Sequence, residues 1–384
     1  MTAARGTEGA LRREIAALRI AGARGESGGV SFEGPLAMGY AVCLHARVGV
    51  RVLLELGRFT ASDAAGLYAG ARAIDWRPWL DTKTTLAVSA DVSDAPELRH
   101  SGFAALKVKD AVVDALREAL GARPNVNPRD PDVAIRLHLH GAEAKLFLDL
   151  AGEPLHRRGY RVAMTDAPLK ESLAAAVLAL GRVPADAPFV DPMAGSGTLA
   201  IEHALAARRI APGLSRPFGF QRWPMFRGEA ERGTWARLVE QARADILPKT
   251  PAPVVCADRF SDAVEAARQN AAKAGVARDL TFEVADARDA TPRWPQGHIV
   301  MNPPYGERLA SVAAESAADE ATRRRKLAGL YRGLAEAFER HKGWSVVVLS
   351  GNPLWVSEMR RKPAISHRLF NGPLEVRLLR YEIG

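Results

Sequence analysis

Apolar and polar positions follow two different rhythms along the chain. Up to about residue 150 the pattern alternates between helical spacing and a two-residue period. Glu8 to Ala21 carries Leu11, Ile15 and Leu18 at helical spacing, and Gly28-Gly29 ends it. Val30 to Phe32 and Val50 to Leu56 predict strands, and Ala61 to Trp76 predicts a helix opened by Ser62 or Asp63. A strand follows at Thr84 to Val88 and a helix at Phe103 to Leu120. Two alternating strands, Val133 to His140 and Ala144 to Leu150, are joined by a turn containing Gly141. This is the outline of a small α+β module.

Beyond it, short continuous apolar runs alternate with helices, the pattern of a parallel sheet. Asp166 to Glu171 opens a helix, with Pro168 suited to its first turn, that ends near Gly181 and packs Leu173, Val177 and Leu180. Phe189 to Asp191 ends a first strand and Leu199 to Ala207 is helical. Val254 to Asp258 is a second strand, followed by a helix with Asp262-x-x-Glu265 as its capping box and Gly275 as its exit. Thr281 to Asp286 and His298 to Met301 are further strands. Leu327, Leu330, Tyr331, Leu334 and Phe338 mark an amphipathic helix, and Trp344 to Leu349 a strand. His367 to Phe370 and Leu374 to Tyr381 flank Asn371-Gly372-Pro373, which predicts a closing hairpin and an antiparallel last strand. Arg209 to Thr250 reads as an insertion, and the charged Glu315 to Lys326 as a mobile segment or the exposed first turn of the next helix.

Two stretches carry chemistry. In the first, Phe189-Val190-Asp191-Pro192-Met193-Ala194-Gly195-Ser196-Gly197-Thr198 joins a strand to a helix through a Gly-x-Gly turn. Glycine permits positive φ and leaves no Cβ between backbone and ligand. A plain strand-to-helix turn is the simpler reading. The stretch lacks the Gly-Lys-Ser/Thr ending of a phosphate loop and the third glycine of a dinucleotide fingerprint. Asp191 at its mouth would repel a pyrophosphate but suits a cation, and S-adenosylmethionine (SAM) carries a sulfonium and an ammonium. Asp258 and Asp286 follow successive strands, where they are placed to accept ribose hydroxyls and the adenine amino group; helix capping is the competing role. Lys170 and Glu171 fall near the same edge.

The second stretch is Asn302-Pro303-Pro304-Tyr305 after an apolar strand. Two prolines cannot sit mid-sheet, so this is a rigid loop at a strand's carboxyl end, where open α/β sheets bind ligands. The motif is a signature of methyltransferases that act on a planar, conjugated amino nitrogen. Such a nitrogen is a poor nucleophile. The Asn302 side-chain oxygen and the Pro303 carbonyl can each accept one of its N–H groups and aim it at the methyl. Tyr305 can stack on a flipped base.

Composition narrows the partners. Cys43 and Cys256 are too isolated for a disulfide framework or a zinc site, which fits a reducing cytoplasm. His138 and His140 share a strand face but lack a third ligand, so they read, with His45, as ordinary histidines. No apolar run reaches a membrane span, and Met1 to Arg13 has no signal-peptide core. The formal charge of +9 is uneven. Residues 1–150 hold 19 Lys and Arg against 18 Asp and Glu, and the remainder 34 against 26. An RNA partner would then find candidate phosphate contacts in Lys107, Lys109, Arg123 and Arg308. Leu155 to Arg161 adds Arg157, Arg158 and Arg161 beside Tyr160. A solvated linker is the alternative for that stretch.

Taken together, several stretches resemble the RlmL-type 23S rRNA guanine-N2 methyltransferases. They are Asp191 to Thr198, Ile210 to Leu214, Phe218-Gly219-Phe220 with Trp223, and Asn302 to Leu309. Ala4-Arg5-Gly6, Lys107 to Ala111, Arg123 to Val126 and Leu155 to Arg161 add to these. The resemblance spans nearly the whole chain. It implies a ferredoxin-like segment over 1–35, a THUMP RNA-binding domain over 36–152, a basic linker over 153–167, and a class I SAM-dependent, Rossmann-like methyltransferase domain over 168–384 with its insertion at 209–250. It further implies 23S rRNA or a large-subunit precursor as partner and N2-methylguanine as product. A tRNA guanine-N2 enzyme and an N6-adenine methyltransferase are the alternatives. Some members continue into a second methyltransferase domain that makes 7-methylguanine. With the sequence ending at Gly384, that activity is not expected. Some relatives carry Cys where Ala194 stands, with no expected chemical consequence.

Overall fold

The computed structural model of the protein describes residues 1–164, 168–305 and 317–384, with side chains from 320 onward in the last stretch. Arg308 lies outside the described residues, as do Asp166 and the Gly306 to Leu309 end of the second motif.

The front module begins with α1 (Glu8–Ala17), the hairpin β1 (Arg24–Glu26) and β2 (Gly29–Ser31), and α2 (Leu36–His45). There follow β3 (Leu53–Thr60), α3 (Ala64–Arg72), β4 (Thr85–Ser93), α4 (Ser101–Leu120), β5 (Asn125–Val126), β6 (Val133–His140) and β7 (Glu143–Asp149). Its five-stranded sheet runs β3-β7-β6-β4-β5. The alternation read along Val133 to His140 is the alternation of buried and half-buried side chains in β6.

Several boundaries differ from expectation for local reasons. The first helix ends at Ala17 rather than Ala21, and Arg19 turns the chain at φ 59°. The strand expected at Val50 is Leu53–Thr60, and α3 is shorter than Ala61 to Trp76. Asp63 is its cap, accepting the Gly66 N–H at 2.7 Å. Helix α2 has no counterpart in the periodic reading. It is apolar nearly all round, because Tyr40, Val42, Cys43 and Leu44 are buried between the front module and the insertion.

The catalytic half contains α5 (Glu171–Leu180), β8 (Phe189–Asp191), α6 (Thr198–Ala207), α7 (Glu229–Ala244), β9 (Val254–Asp258) and α8 (Ser261–Ala274). It continues with β10 (Leu280–Val284), β11 (His298–Met301), α9 (Ala317–Glu339), β12 (Ser345–Ser350), α10 (Leu354–Met359), β13 (Ile365–Asn371) and β14 (Leu374–Glu382). The sheet order is β10-β9-β8-β11-β12-β14-β13. It is parallel from β10 to β12, with β14 antiparallel to β12 and β13. The last hairpin is therefore as expected. The order reverses between β8 and β11, the switch point at whose carboxyl ends open α/β sheets bind ligands. Both chemistry-bearing stretches leave the sheet at that point.

Two expectations are corrected here, and one of the two readings of the charged segment before Leu327 is borne out. Helix α5 starts at Glu171, so Pro168 precedes it rather than forming its first turn. The Asp262–Glu265 capping box does not form: α8 opens at Phe260 without a side-chain cap. Gly275 does close it, at φ 76°. Part of the charged Glu315 to Lys326 segment is the start of α9.

The insertion joins the two halves. Trp223 and Phe220 are fully buried, Trp223 edge-on to Trp79 and Phe220 stacked on Tyr40 with centroids 4.2 Å apart. Arg222 pairs with Asp130 at 2.9 Å, and Arg227 with Asp81. Among the described residues no helix is long and apolar enough to cross a membrane.

Candidate active site

The Gly-rich turn takes the shape its residues allow. Gly195 and Gly197 have φ of 53° and 83°. A Cβ on Gly197 would come within 2.8 Å of the Ala267 Cβ, so glycine here also lets α6 pack close to α8. The amides of the turn do not converge on an empty anion site. Asp258 Oδ2 accepts the Gly195 N–H at 2.9 Å and its Oδ1 the Phe260 N–H at 3.1 Å. Asp191 Oδ1 accepts the Met193 N–H at 3.2 Å.

Asp191 is 1% exposed and Asp258 is buried beside it, and neither meets a cationic side chain among the described residues. Burial, and then the Asp258 charge, push the Asp191 carboxyl well above its ordinary range. Two buried carboxylates without a counter-ion fit a cationic ligand and oppose a phosphate. Just beyond, Phe260 stands 57% exposed with the Arg259 guanidinium 4.4 Å over its ring. It was not singled out in the sequence. An aromatic two residues after a strand-ending aspartate is the signal that marks it.

Asp286 differs from the expected adenine contact. Both its oxygens are taken by Arg288, at 2.9 and 2.6 Å, and that bond holds its carboxyl down at about 2. An adenine amino group would have to displace this partner.

On the β11 side, the ladder pairs His298 with Phe189 and Ile299 with Val190. This register carries Asn302 out of the sheet beside the Gly-rich turn. The Asn302 Oδ1 is buried and has no hydrogen-bond partner among the described residues. The loop behind it is anchored: the Tyr331 hydroxyl donates to the Pro304 carbonyl at 2.6 Å. Tyr305 departs from the expectation of stacking on a base. Its ring is 5% exposed, lies against Gly351, and its hydroxyl accepts from Asn371 Nδ2 at 3.0 Å. In this position it ties the loop to the C-terminal hairpin.

The linker is the largest revision. Of its three arginines only Arg157 is exposed, and it pairs with Glu153. Arg158 is 2% exposed and cannot reach RNA. It donates to the carbonyls of Leu155 and Arg47 and pairs with Glu202 of α6. Tyr160 is also buried, donating to Glu202 at 3.2 Å rather than offering a face to a base. Arg161 is half-buried and braces the cofactor edge. It donates to Glu171 at 3.0 Å, Leu169 O at 2.9 Å, Ser196 Oγ at 3.1 Å and Thr198 Oγ1 at 3.2 Å.

Asn270 of α8 completes the brace. It accepts the Val162 and Ala163 N–H groups at 2.8 and 3.0 Å and donates to Ala163 O and Ser196 O at 2.9 and 3.0 Å. A polar residue on the alanine face of α8 was the available signal for it.

The front-module candidates differ in availability. Arg123 is exposed, Lys107 lies over the Phe103 ring at 5.5 Å, and Lys109 pairs with Asp110 at 2.6 Å. His140 Nδ1 is 2.9 Å from Ser93 Oγ, and His138 rests against Phe147. Lys170 is exposed and lines a cavity with linker residues.

Comparison with known proteins agrees with this geometry. The RMKL-like methyltransferase domain family matches residues 158–380, the THUMP domain 61–149, and the RlmL ferredoxin-like domain 1–53. A ribosomal RNA large subunit methyltransferase K/L of Syntrophotalea carbinolica is 40% identical over the whole chain, which covers 53% of that relative. The chain thus spans about half the length of the curated K/L relatives it matches. A Synechocystis sp. protein, slr0064, is 33% identical, and the chain covers 96% of it. The crystal structure of SMU.472 in complex with SAH superposes with a TM-score of 0.88 at 28% identity, over 100% of this chain and 97% of that one. A SAM-type turn, a strand-end Asn-Pro-Pro-Tyr loop and matches along the whole chain lead to one conclusion: the chain belongs to the RMKL-like family of SAM-dependent methyltransferases, with THUMP and RlmL ferredoxin-like domains in front.

Proposed function

We propose that the protein methylates the exocyclic N2 of a guanine in 23S rRNA or its precursor, in the cytoplasm. The observation that carries the reading is the buried, unpartnered Oδ1 of Asn302. An unmet buried acceptor costs roughly 1–3 kcal/mol. It calls for an N–H donor from outside the described protein, and the amino group of a base is such a donor. The large-subunit rRNA named in the K/L relatives supports the choice of substrate.

Asp191 and Asp258 would hold the cationic cofactor, with Asp258 turned to the ribose and Phe260 offering an apolar face. When bound, SAM supplies a methyl group on an electrophilic sulfonium. The target base is flipped from its stack into the crevice. Asn302 Oδ1 and the Pro303 carbonyl accept the two N–H groups of the amine and fix its nitrogen in line. The nitrogen lone pair takes the methyl carbon as the carbon–sulfur bond breaks. The same two acceptors stabilise the positive charge that develops on nitrogen. The methylated amine is then acidic enough to lose its proton to water, so no strong base is required. Tyr331 and Asn371 keep the loop rigid throughout. Arg123 and Arg157 remain the exposed candidates for phosphate contact, with Lys107 half-buried over Phe103.

Asn302→Ala tests the reading. Turnover should fall by about two to three orders of magnitude, the scale of losing one preorganised charge-stabilising group. SAM affinity by calorimetry should stay within about threefold, since Asn302 holds the substrate. Near-wild-type turnover would overturn the assignment.

A further inference from the structure

A cavity of about 380 Å³ opens between the linker and the start of α5, lined by His156, Arg157, Arg161, Lys170 and Glu171 among others. Its charge is lopsided. Arg161 and Glu171 neutralise each other at 3.0 Å, and Arg161's other donors face the cofactor turn and Leu169. That leaves Lys170, which has no ion-pair partner among the described residues, and Arg157, whose partner is the exposed Glu153. An exposed pair of that kind is weak and readily exchanged for a stronger acceptor. The Nδ1 of His156 is buried with no partner among the described residues. Burial, and then the charges of Lys170, Arg157, Arg158 and Arg51, hold this imidazole down at about 4. It is therefore neutral at pH 7 and adds no repulsion to an incoming ligand's cationic neighbours. Helix α5 begins at Glu171, with Lys170 as its N-cap residue and no side-chain cap. Glu171 stands in that first turn and already meets the helix end with a carboxylate, so the attraction for an anion comes from the cationic side chains.

We propose that this cavity holds one backbone phosphate of the RNA, gripped by Lys170 and Arg157. The inference rests on the RNA reading above and adds a defined contact to it. The cavity lies between the linker and the start of α5, and its lining residue Arg161 also bonds Ser196 and Thr198 of the cofactor turn. A phosphate fixed there would register the bound strand against the crevice, and Lys170 would serve the substrate rather than the cofactor.

The test uses the full chain and in vitro-transcribed, modification-free 23S rRNA. RNA affinity is measured across a salt series for wild type, Lys170→Ala and Lys170→Glu, with SAM calorimetry on the same proteins. Each lost phosphate contact should lower the slope of log K against log salt by about 0.7–0.9. Lys170→Ala should show that decrement and a several-fold weaker complex at low salt. Lys170→Glu should be weaker still, and SAM affinity should stay within twofold for both. An unchanged salt slope would overturn the proposal. So would weakened SAM binding with intact RNA binding, which would give the cavity to the cofactor. If wild-type protein bound no RNA, the functional reading itself would fail, and that result is distinct from either.

Discussion

The two ligand edges of the catalytic half carry opposite charge. At the carboxyl ends of β8 and β9, Asp191 and Asp258 are buried without a cationic partner among the described residues. At the start of α5, the linker cavity is lined by Lys170 and Arg157, and the carboxylates nearby are already paired, Glu171 with Arg161 and the exposed Glu153 with Arg157. The first edge suits a cation and the second an anion. Arg161 touches both: it neutralises Glu171 on the cavity side and bonds Ser196 and Thr198 on the cofactor side. In the proposed reading, sign of charge would separate the place for a sulfonium from the place for an RNA phosphate.

Removing the Asp191 charge should break the comparison most strongly. Asp191→Asn keeps an acceptor for the Met193 N–H but leaves Asp258 to carry the edge's charge without it. SAM affinity should drop by about 10- to 100-fold, the scale of one charged hydrogen-bonding group. The cofactor-free protein should melt no lower than wild type, since a desolvated, unpaired carboxylate is gone. A variant that bound SAM normally would show that the edge does not work through its charge.

Next in size is the linker interior. Arg158→Met would strand Glu202 as an unpaired buried charge, and chemical denaturation should show a loss of about 3–5 kcal/mol. Replacing both partners, Arg158→Met with Glu202→Leu, should recover much of it. The exposed Arg157→Ala should leave stability within about 0.5 kcal/mol. Equal losses at Arg157 and Arg158 would contradict the assignment of one to solvent and the other to the core.

Arg161→Lys and Asn270→Ala should sharpen the link between the edges. Both loosen the cofactor turn without removing a group that touches the substrate. The expected result is a rise of about tenfold in KM for SAM, roughly one lost hydrogen bond's worth of binding, with kcat changed far less. Arg161→Lys should retain part of the wild-type value. A fall in kcat at constant KM would place these residues elsewhere in the mechanism.

The smallest effect is on pH dependence. The folded-state pKa of Asp191 is raised above its ordinary 3.8. Protonated Asp191 therefore favours the fold at low pH, and that stability is lost as pH rises through the window above 3.8. The difference in melting temperature between Asp191→Asn and wild type should widen from pH 4 upward, in favour of the variant. A constant difference would mean that burial does not perturb this group.

Much of the catalytic half was legible because its strands are short apolar runs with polar stops. Val254 to Asp258 and His298 to Met301 are strands β9 and β11 as read, and Asn371-Gly372 marked the last turn. The front sheet was legible through the alternation in β6 and β7. Helix α2 was not, because a helix buried on most sides has no polar face to give it a period. The linker arginines were not, because exposure is not a property of residue type. Arg158 finds Glu202 44 residues away, and Arg161 reaches Ser196 35 residues away. Tyr305 looked like a stacking platform until β13 supplied Asn371 as a partner for its hydroxyl. Long-range partners decided each case, and a single sequence read locally does not display them.

The most direct measurement is transfer of labelled methyl from SAM to modification-free 23S rRNA, with bulk tRNA in parallel, followed by digestion to nucleosides. The account predicts label in N2-methylguanosine from rRNA, and its loss with Asn302→Ala. Label in N6-methyladenosine would contradict the base, and label confined to tRNA would contradict the substrate.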